Sequence, residues 1–560
     1  MTKKPTFFDA LILSFFVALV TFQPHYLHGQ VNIYEVGLYL PGINTILHGM
    51  VPFRDFFHLR GPFELYMPSF LMSVFGKNIA VLSAYFYAGT ILTLVFCILV
   101  GKELFRSRLI LYLFSFVLVA RTFPRVVFTY WGGIRYGFGI LALYCVVKYF
   151  KTERPFWMFL SGFICAVAFF TSIEIGVCLM AGVLAAFLFS WIFGIQKKRK
   201  ILRAFFCFVA GAALVKIPYL IYLIATHSFF PYLESVYAVI VHKDVVIDPH
   251  IVSPIPSNPL QALLAMLNVT GKNFRHMTPS YLYLILLFYF VYRRRQAKLE
   301  KTDLSIVAIA GYGLVMYNTA FRNIWAAQFE MALQPEKILF FFMLERGYLF
   351  LTARKPLLSQ DVLMGRLKKW GINVLIFGLI TSSIGYSFDR YNKRFFAFQY
   401  ARNWFMGKET ESLKPLAKVP TRPLMIARAK GMVVPIEQAD ELEAIVDFFD
   451  KNTAPSEAVF MYPELGTYSF LIDRPFVGRF PISTFSWFND RWYDDLMADF
   501  IKIKPRFVVM PKEFPVNWKE VYLAREANRK KYDGFIKIIE SEYALKTQTL
   551  QSYIYIRKDS

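Results

Sequence analysis

Charged residues are scarce in this chain, and acidic residues are fewer than basic ones. Charged side chains make up 18% of the 560 residues, whereas soluble proteins carry about 25%. Apolar residues reach 56%, and 63 lysines and arginines outnumber 39 aspartates and glutamates. So little charge excludes a wholly soluble chain, and we expect a large part of it to lie in lipid.

Cysteine is rare as well, and the chain has no internal repeat or low-complexity segment. The five cysteines all fall within apolar segments, and none has metal-ligand spacing. This pattern argues against a disulfide framework and against a zinc site. The cysteines are Cys97, Cys145, Cys165, Cys178 and Cys207.

Long apolar runs dominate the first two thirds of the sequence. A membrane helix needs about 20 mostly apolar residues, and a scan at that length predicts about eleven spans. The first run lacks a small-residue cleavage site and is followed by further spans, so we expect a retained helix rather than a signal peptide. The predicted spans are 7–23, 78–100, 107–121, 136–150, 156–173, 175–194, 204–225, 280–293, 303–320, 337–352 and 370–388.

The distribution of positive charge predicts the orientation in the membrane. A net charge of +24 could suggest nucleic acid, but the positive residues cluster in short runs between apolar segments. This is the positive-inside pattern of membrane proteins, so no nucleic-acid partner is expected. The longer loops, 24–77 and 226–279, carry few positive residues. We therefore predict a cytoplasmic N-terminus and, with an odd number of spans, an external tail.

The tail from 389 to 560 has a different composition, with frequent charges and short apolar runs. EAVFMY and RFVVMP read as strands, DDLMADFI as a helix between them, and the C-terminal residues as a strand pair. Another helix is predicted in ELEAIVDFFDKN, where one face carries Leu442, Ile445, Val446 and Phe449. We predict a membrane domain over 1–388 and a small extracytoplasmic α/β domain over 389–560.

The loop 24–77 combines isolated acids and bases with helix-spaced apolar residues. Tyr39, Leu40, Ile43 and Leu47 follow Val36 at helical spacing. They predict an interfacial amphipathic helix, which Pro41 either starts or kinks. Glu35 would stand at its N-terminal end, where complementing the helix dipole is the structural alternative to catalysis.

The same loop resembles the first outer loop of the GT-C glycosyltransferases, polytopic enzymes that take sugars from polyprenyl-phosphate carriers. Protein O-mannosyltransferases and lipid A aminoarabinose transferases belong to that family. Its members carry an acidic residue, often in a pair, after the first span as catalytic base. Here Tyr34-Glu35 fills that place, so Glu35 alone matches. The further matches in HGMVPFRDFFHLRGPFELY are His48, Gly49, Pro52, Arg54, Asp55, His58, Gly61 and Pro62.

The resemblance implies a polytopic GT-C-like fold and assigns roles to individual residues. Glu35 would be the base, with Asp55 as the second candidate, either as base or as the group that orients the acceptor. Arg54, His58 and Glu174 would contact substrate. Cations would stabilise the leaving phosphate, and the candidates are Arg60, Arg121, Arg125, Arg135, Lys216 and Arg322.

Several of these residues have structural alternatives. Three arginines at one outer end are exceptions to the charge bias, namely Arg121, Arg125 and Arg135. Phosphate binding explains them about as well as salt bridges or lipid headgroups do. Arg135 is the strongest functional candidate of the three, because RYGFG also resembles the family. Lys216 lies within a predicted span, where charges are functional candidates, but it could instead pair with Glu345. Glu174 could equally cap a helix.

A metal site is weakly indicated in the second long loop. The run HKDVVIDPH offers four candidate ligands for a divalent cation, although a solvated loop is the favoured interpretation. They are His242, Asp244, Asp248 and His250.

The sequence therefore predicts an enzyme of the bacterial inner membrane with its active site on the outer face. The expected partners are a polyprenyl-phosphate-linked sugar, membrane lipids and a lipid, glycan or protein acceptor. Hexosyl or pentosyl transfer with inversion is the expected reaction. A transporter or flippase of lipid-linked sugars is the alternative, although such proteins tend to show internal repeats and broken helices at mid-membrane. A non-catalytic scaffold of the same fold is the third hypothesis.

Overall fold

The computed structural model describes most of the chain, from residue 3 to residue 560. The described ranges are 3–22, 36–58, 61–122, 134–241, 274–320, 332–352, 362–406, 420–429, 431–462, 465–481, 490–513, 523 and 526–560.

Helices make up the described part of the chain up to residue 406. In order they are α1 Phe7–Thr21, α2 Leu40–Leu47, α3 Phe63–Phe75, α4 Ile79–Leu104, α5 Arg108–Thr122, α6 Ile134–Thr152, α7 Pro155–Thr171, α8 Ile173–Ile192, α9 Lys198–Ala225, α10 Phe229–Val241, α11 Phe274–Arg295, α12 Lys301–Ala320, α13 Gln334–Thr352, α14 Val362–Arg394 and α15 Phe396–Phe405.

A helix lies at each of the predicted spans, because long apolar runs must satisfy their backbone groups internally in lipid. Among the described helices, α4, α8 and α9 are long and apolar enough to cross a membrane by length and composition. Helices α1, α3 and α7 are apolar but shorter. The number of helices that cross the bilayer therefore stays a prediction.

Helix α2 forms where the apolar spacing predicts it, with Pro41 in its first turn. Proline suits that position because its missing N–H is not needed there. Tyr39, Leu40 and Ile43 are buried. They share one hydrophobic cluster with residues of the C-terminal region, including Leu424. The apolar stripe of α2 thus packs against protein, and the position of this helix at the bilayer interface stays a prediction.

The C-terminal region contains a mixed four-stranded sheet with helices around it. Its elements are β1 Thr421–Pro423, β2 Val433–Pro435, α16 Ile436–Asn452, β3 Val459–Met461, α17 Gly466–Ile472, α18 Asp490–Ile503, β4 Phe507–Pro511, α19 Glu526–Glu542, β5 Tyr543–Gln548 and β6 Ser552–Arg557. The sheet order is β3-β4-β6-β5, with β3 and β4 parallel and the other pairs antiparallel. Strands β3 and β4, the helix between them and the final strand pair follow the sequence pattern. The predicted division after residue 388 falls inside α14.

The C-terminal region is fixed by close backbone packing to the described part of the loop 24–77, which we call the first outer loop after the side of the membrane predicted for it. A Cβ atom at Gly466 would overlap the carbonyl oxygen of Gly37, so only glycine fits there. Beside this contact, Arg428 donates to Asn44 Oδ1 at 2.9 Å and forms an ion pair with Asp473. Asn44 in turn donates to Asp473 Oδ1 at 3.2 Å. The loop and the C-terminal region therefore form one packed unit.

Gly466→Ala should destabilise this unit. The added methyl group overpacks the contact with Gly37, which typically costs about 1–3 kcal/mol. We expect a lower midpoint of thermal unfolding in detergent and faster proteolysis after β1. Gly534→Ala is the control, because a Cβ atom there meets open space. Equal midpoints for the two variants would contradict the packing account.

Candidate active site

A buried arginine forms the centre of a polar cluster between the first outer loop and the helix bundle. Arg135 is 4% exposed and lies in the first turn of α6. Its Nη2 atom donates to the hydroxyl of Tyr136 at 3.3 Å. The carboxylates of Glu64 and Glu174 and the phenol of Tyr39 lie within electrostatic reach of its guanidinium. Arg135 therefore has counter-charges inside the protein.

Glu64 is a member of this cluster that sequence reasoning left without a role. It is 3% exposed in the first turn of α3. Its Oε2 atom accepts a hydrogen bond from Tyr39 at 3.1 Å. The signal in the sequence was an acidic residue two positions after Gly61-Pro62, but the cation near it lies on a helix distant in the sequence. A nearby cation stabilises such a buried carboxylate, and the guanidinium of Arg135 lies within electrostatic reach of it.

Gly61 explains why this loop lies against the bundle. A Cβ atom on Gly61 would overlap the carbonyl oxygen of Phe170, in the last turn of α7. Glycine therefore allows the backbone of the loop to touch the end of that helix. Packing thus explains the glycine of the Gly-Pro pair that matches the GT-C pattern, independently of any catalytic role of this segment.

Asp55 is engaged by its neighbour Arg54. Nε and Nη2 of Arg54 donate to the two carboxylate oxygens, both at 2.7 Å. The backbone N–H of Val51 also donates to Asp55 Oδ2 at 2.7 Å. The Arg54 guanidinium holds the pKa of the Asp55 carboxyl below its usual range, against the opposing effect of burial. A lower pKa makes Asp55 a weaker base, so this geometry favours an orienting role.

Lys216 has no carboxylate within ion-pair distance among the described residues. Its Nζ atom lies 3.4 Å from the ring centroid of Phe169 and 5.7 Å from that of Phe170. Glu345, the partner considered from the sequence, instead accepts backbone hydrogen bonds from Arg106 at 2.8 Å and Ser107 at 2.7 Å. That pairing is therefore excluded. Two aromatic faces supply only part of the stabilisation that a counter-ion would give.

Arg121 and Arg135, which the sequence predicted at the same end of the bundle, have different neighbours in the structure. The guanidinium of Arg121 stacks over the ring of Tyr386 at 4.6 Å, on α14, whereas Arg135 contacts the first outer loop. Glu174 is half-buried in the first turn of α8. His58 follows the Arg54–Asp55 pair, with its ring 6.3 Å from that of Phe53.

The remaining predicted site residues lie outside the described residues. They are Glu35, Arg60, Arg125, Arg322, His242, Asp244, Asp248 and His250. Within the described ranges, no three metal-ligating side chains come together. The divalent cation considered from the sequence thus remains an expectation.

A second polar cluster, which the sequence did not indicate, joins the ends of α5 and α13. Glu336 is 4% exposed and accepts a hydrogen bond from Tyr283 at 2.5 Å. Gln334 and Lys337 donate to Thr122 Oγ1 at 3.2 and 3.3 Å. These residues link helices that are far apart in the sequence. Local sequence patterns therefore do not indicate these contacts.

Comparison with solved structures identifies the fold. ArnT from Cupriavidus metallidurans in the apo state aligns with a TM-score of 0.53 and 11% identity, covering 98% of this chain and 96% of that one. The structure of that ArnT bound to undecaprenyl phosphate gives a TM-score of 0.52 and 12% identity, over 98% and 96% of the two chains.

The oligosaccharyltransferase of Archaeoglobus fulgidus in the apo form gives a TM-score of 0.52 and 11% identity, over 93% of this chain and 71% of that one. No protein-family model and no curated protein sequence matches the chain. The chain thus shares the fold of these two proteins, in agreement with the GT-C-like fold predicted from the first outer loop.

Arg135→Gln should destabilise the protein by roughly 1–3 kcal/mol, because it removes a cation within electrostatic reach of the buried Glu64 carboxylate. Adding Glu64→Gln should restore part of the loss. The measurement is chemical unfolding in detergent. Arg121→Gln is the control, since its guanidinium stacks on an aromatic ring and should matter less. If Arg135→Gln is no less stable than the control, the two charges are not coupled.

Proposed function

We propose that this protein is a membrane glycosyltransferase that moves a sugar from a polyprenyl-phosphate carrier to an acceptor on the outer face of the membrane. The observation that carries the proposal is Lys216. Lys216 has no counter-ion among the described residues and lies within a predicted span, where a cation is a functional candidate by default. A lipid-linked phosphate would supply the missing negative charge from within the membrane.

The fold supports this choice of ligand. One structure of similar fold is described as ArnT bound to undecaprenyl phosphate. Another, with a TM-score of 0.50 and 11% identity over 96% of this chain and 72% of that one, is described as an archaeal oligosaccharyltransferase in complex with an inhibitory peptide and a dolichol-phosphate. We infer by analogy that this chain takes a donor of the same kind.

The proposed chemistry needs one base and several cations. The base takes the proton of an acceptor hydroxyl or amine, whose electron pair forms a bond to the anomeric carbon. The bond from that carbon to the phosphate oxygen breaks, and the phosphate leaves with its electrons. Attack opposite to the leaving group inverts the configuration. Lys216 stabilises the charge that develops on the phosphate.

We assign the base to Glu35 and an acceptor-orienting role to Asp55, which Arg54 keeps ionised. Arg135 is the second cation proposed near the donor phosphate, although Glu64 balances part of its charge. The other cations proposed near the donor phosphate are Arg60, Arg121, Arg125 and Arg322. His58 and Glu174 are proposed substrate contacts. We also propose that the C-terminal α/β region lies outside the bacterial inner membrane, where it covers the first outer loop.

The direct test incubates the purified protein with a panel of labelled polyprenyl-phosphate sugars and with lipid, glycan and peptide acceptors. The proposal expects transfer of label to an acceptor, with release of polyprenyl phosphate. Movement of labelled donor across vesicles without any transfer would indicate a transporter and contradict the proposal.

Lys216→Met should weaken binding of polyprenyl phosphate about 10- to 100-fold, the effect of losing a hydrogen bond to a charged group. Lys198→Met is a matched control on the same helix, because its Nζ atom also lies over an aromatic ring, 5.8 Å from that of Trp191. Binding by the control should equal that of the unchanged protein. Equal affinity of both variants would make Lys216 a structural residue.

Glu35→Gln should lower turnover by roughly 10²-fold or more while leaving donor binding nearly unchanged, because a general base acts on the acceptor. Asp55→Asn should reduce turnover less, and raise the concentration of acceptor needed. Steady-state kinetics with varied acceptor separates the two effects. If Asp55→Asn abolishes transfer while Glu35→Gln retains it, Asp55 is the base.

A further inference from the structure

Aromatic side chains from five segments form a continuous series of contacts between Lys216 and the Arg54–Asp55 pair. We call this series the aromatic track. Its members are Phe53, Tyr66, Phe170, Tyr219, Tyr222 and Tyr232.

The main line of the track can be followed ring by ring. Phe170, which lies beside Lys216, has its ring centroid 4.4 Å from that of Tyr219. Tyr219 lies 5.9 Å from Tyr232, and Tyr232 lies 5.1 Å from Phe53. Phe53 directly precedes the Arg54–Asp55 pair. The track therefore connects the proposed phosphate ligand with the loop of the proposed acceptor-orienting group.

A branch of the track adds polar groups. The ring of Tyr222 stacks on that of Tyr219, with centroids 6.0 Å apart and an interplanar angle of 23°. The hydroxyl of Tyr222 lies 2.7 Å from the hydroxyl of Tyr66 on α3. The guanidinium of Arg54 is within electrostatic reach of both phenols. Stacked rings and hydrogen-bonding groups thus occur side by side.

A belt of aromatic residues at the membrane interface is the simpler explanation, since tyrosine is enriched there. The track differs from such a belt because its side chains contact one another across the segment of Phe53 and helices α3, α7, α9 and α10. Tyr219 and Tyr232 are half-buried, whereas Phe230 on the same helix as Tyr232 is 79% exposed. The close approach of Gly61 to Phe170 also brings the first outer loop onto the track.

We propose that the aromatic track is the subsite for the sugar of the lipid-linked donor. The C–H face of a sugar ring carries slightly positive hydrogens, which suit the negative face of an aromatic ring. The phenols of Tyr66 and Tyr222 and the guanidinium of Arg54 offer hydrogen bonds to sugar hydroxyls. An isoprenoid chain would use the rings but none of these polar groups. This inference rests on the proposed function and adds the position of the sugar.

The test compares two ligands that share a carrier: undecaprenyl phosphate and its glucosyl, mannosyl and arabinosyl esters. Tyr219→Leu removes the central ring of the track. It should weaken binding of the sugar-bearing donor by about 3- to 10-fold, the range expected for one aromatic contact. Binding of bare undecaprenyl phosphate should not change. Tyr219→Phe keeps the ring and should keep donor affinity, and Phe230→Leu is the exposed control.

The outcomes separate this inference from the proposed function. If Tyr219→Leu weakens both ligands equally, the track holds the isoprenoid chain and the sugar assignment is wrong. If Tyr219→Leu binds both ligands normally, the track is not a binding site. If the unchanged protein binds neither ligand, the proposed function fails and this inference fails with it. An unfolding midpoint for Tyr219→Leu equal to that of the unchanged protein confirms that loss of the ring, not loss of the fold, explains the result.

Discussion

A charge placed in an apolar bundle needs a counter-charge or polar partners, and this constraint organises the membrane part of the protein. Asp9 is fully buried and accepts hydrogen bonds from Arg108 and Tyr112. Glu103, with 3% of its side chain exposed, contacts Lys151 at 2.6 Å and Lys148 at 3.4 Å. Such pairs compensate the loss of water, and breaking one would leave an unpaired buried charge. Lys216 departs from this pattern within the described residues, which is why it marks the candidate donor site.

The first outer loop is held from two sides, and this gives the candidate site a defined shape. Gly61 packs against the end of α7, and Gly466 packs against the loop from the C-terminal region. A further link runs through Phe57, whose backbone N–H donates to the carbonyl of Arg479 at 2.7 Å. The Arg479 side chain pairs with Glu234 of α10 at 3.4 Å. Residues that position reacting groups work best on such a supported segment.

Sequence reasoning succeeded where a local pattern decides the structure. Long apolar runs predicted the positions of the helices, and short apolar runs predicted β3 and β4. Pro41 lies in the first turn of α2, in agreement with one of its two predicted positions. It failed where the partner comes from elsewhere in the chain. The stripe of α2 predicted a buried face, but periodicity does not say whether lipid or protein covers it. The electrostatic interaction of Glu64 with Arg135 joins the first outer loop to a bundle helix. Likewise, nothing in the sequence near Lys216 shows that Glu345 bonds to the start of α5.

The central claim is that Lys216 receives the phosphate of a lipid carrier, and a structure of the complex tests it most directly. The measurement is an electron cryomicroscopy map of the purified protein with undecaprenyl phosphate in lipid nanodiscs. The account predicts phosphate oxygens within about 4 Å of the Lys216 Nζ atom, the usual limit for an ion pair. A carrier phosphate bound elsewhere, with Nζ of Lys216 still over the ring of Phe169, would contradict it.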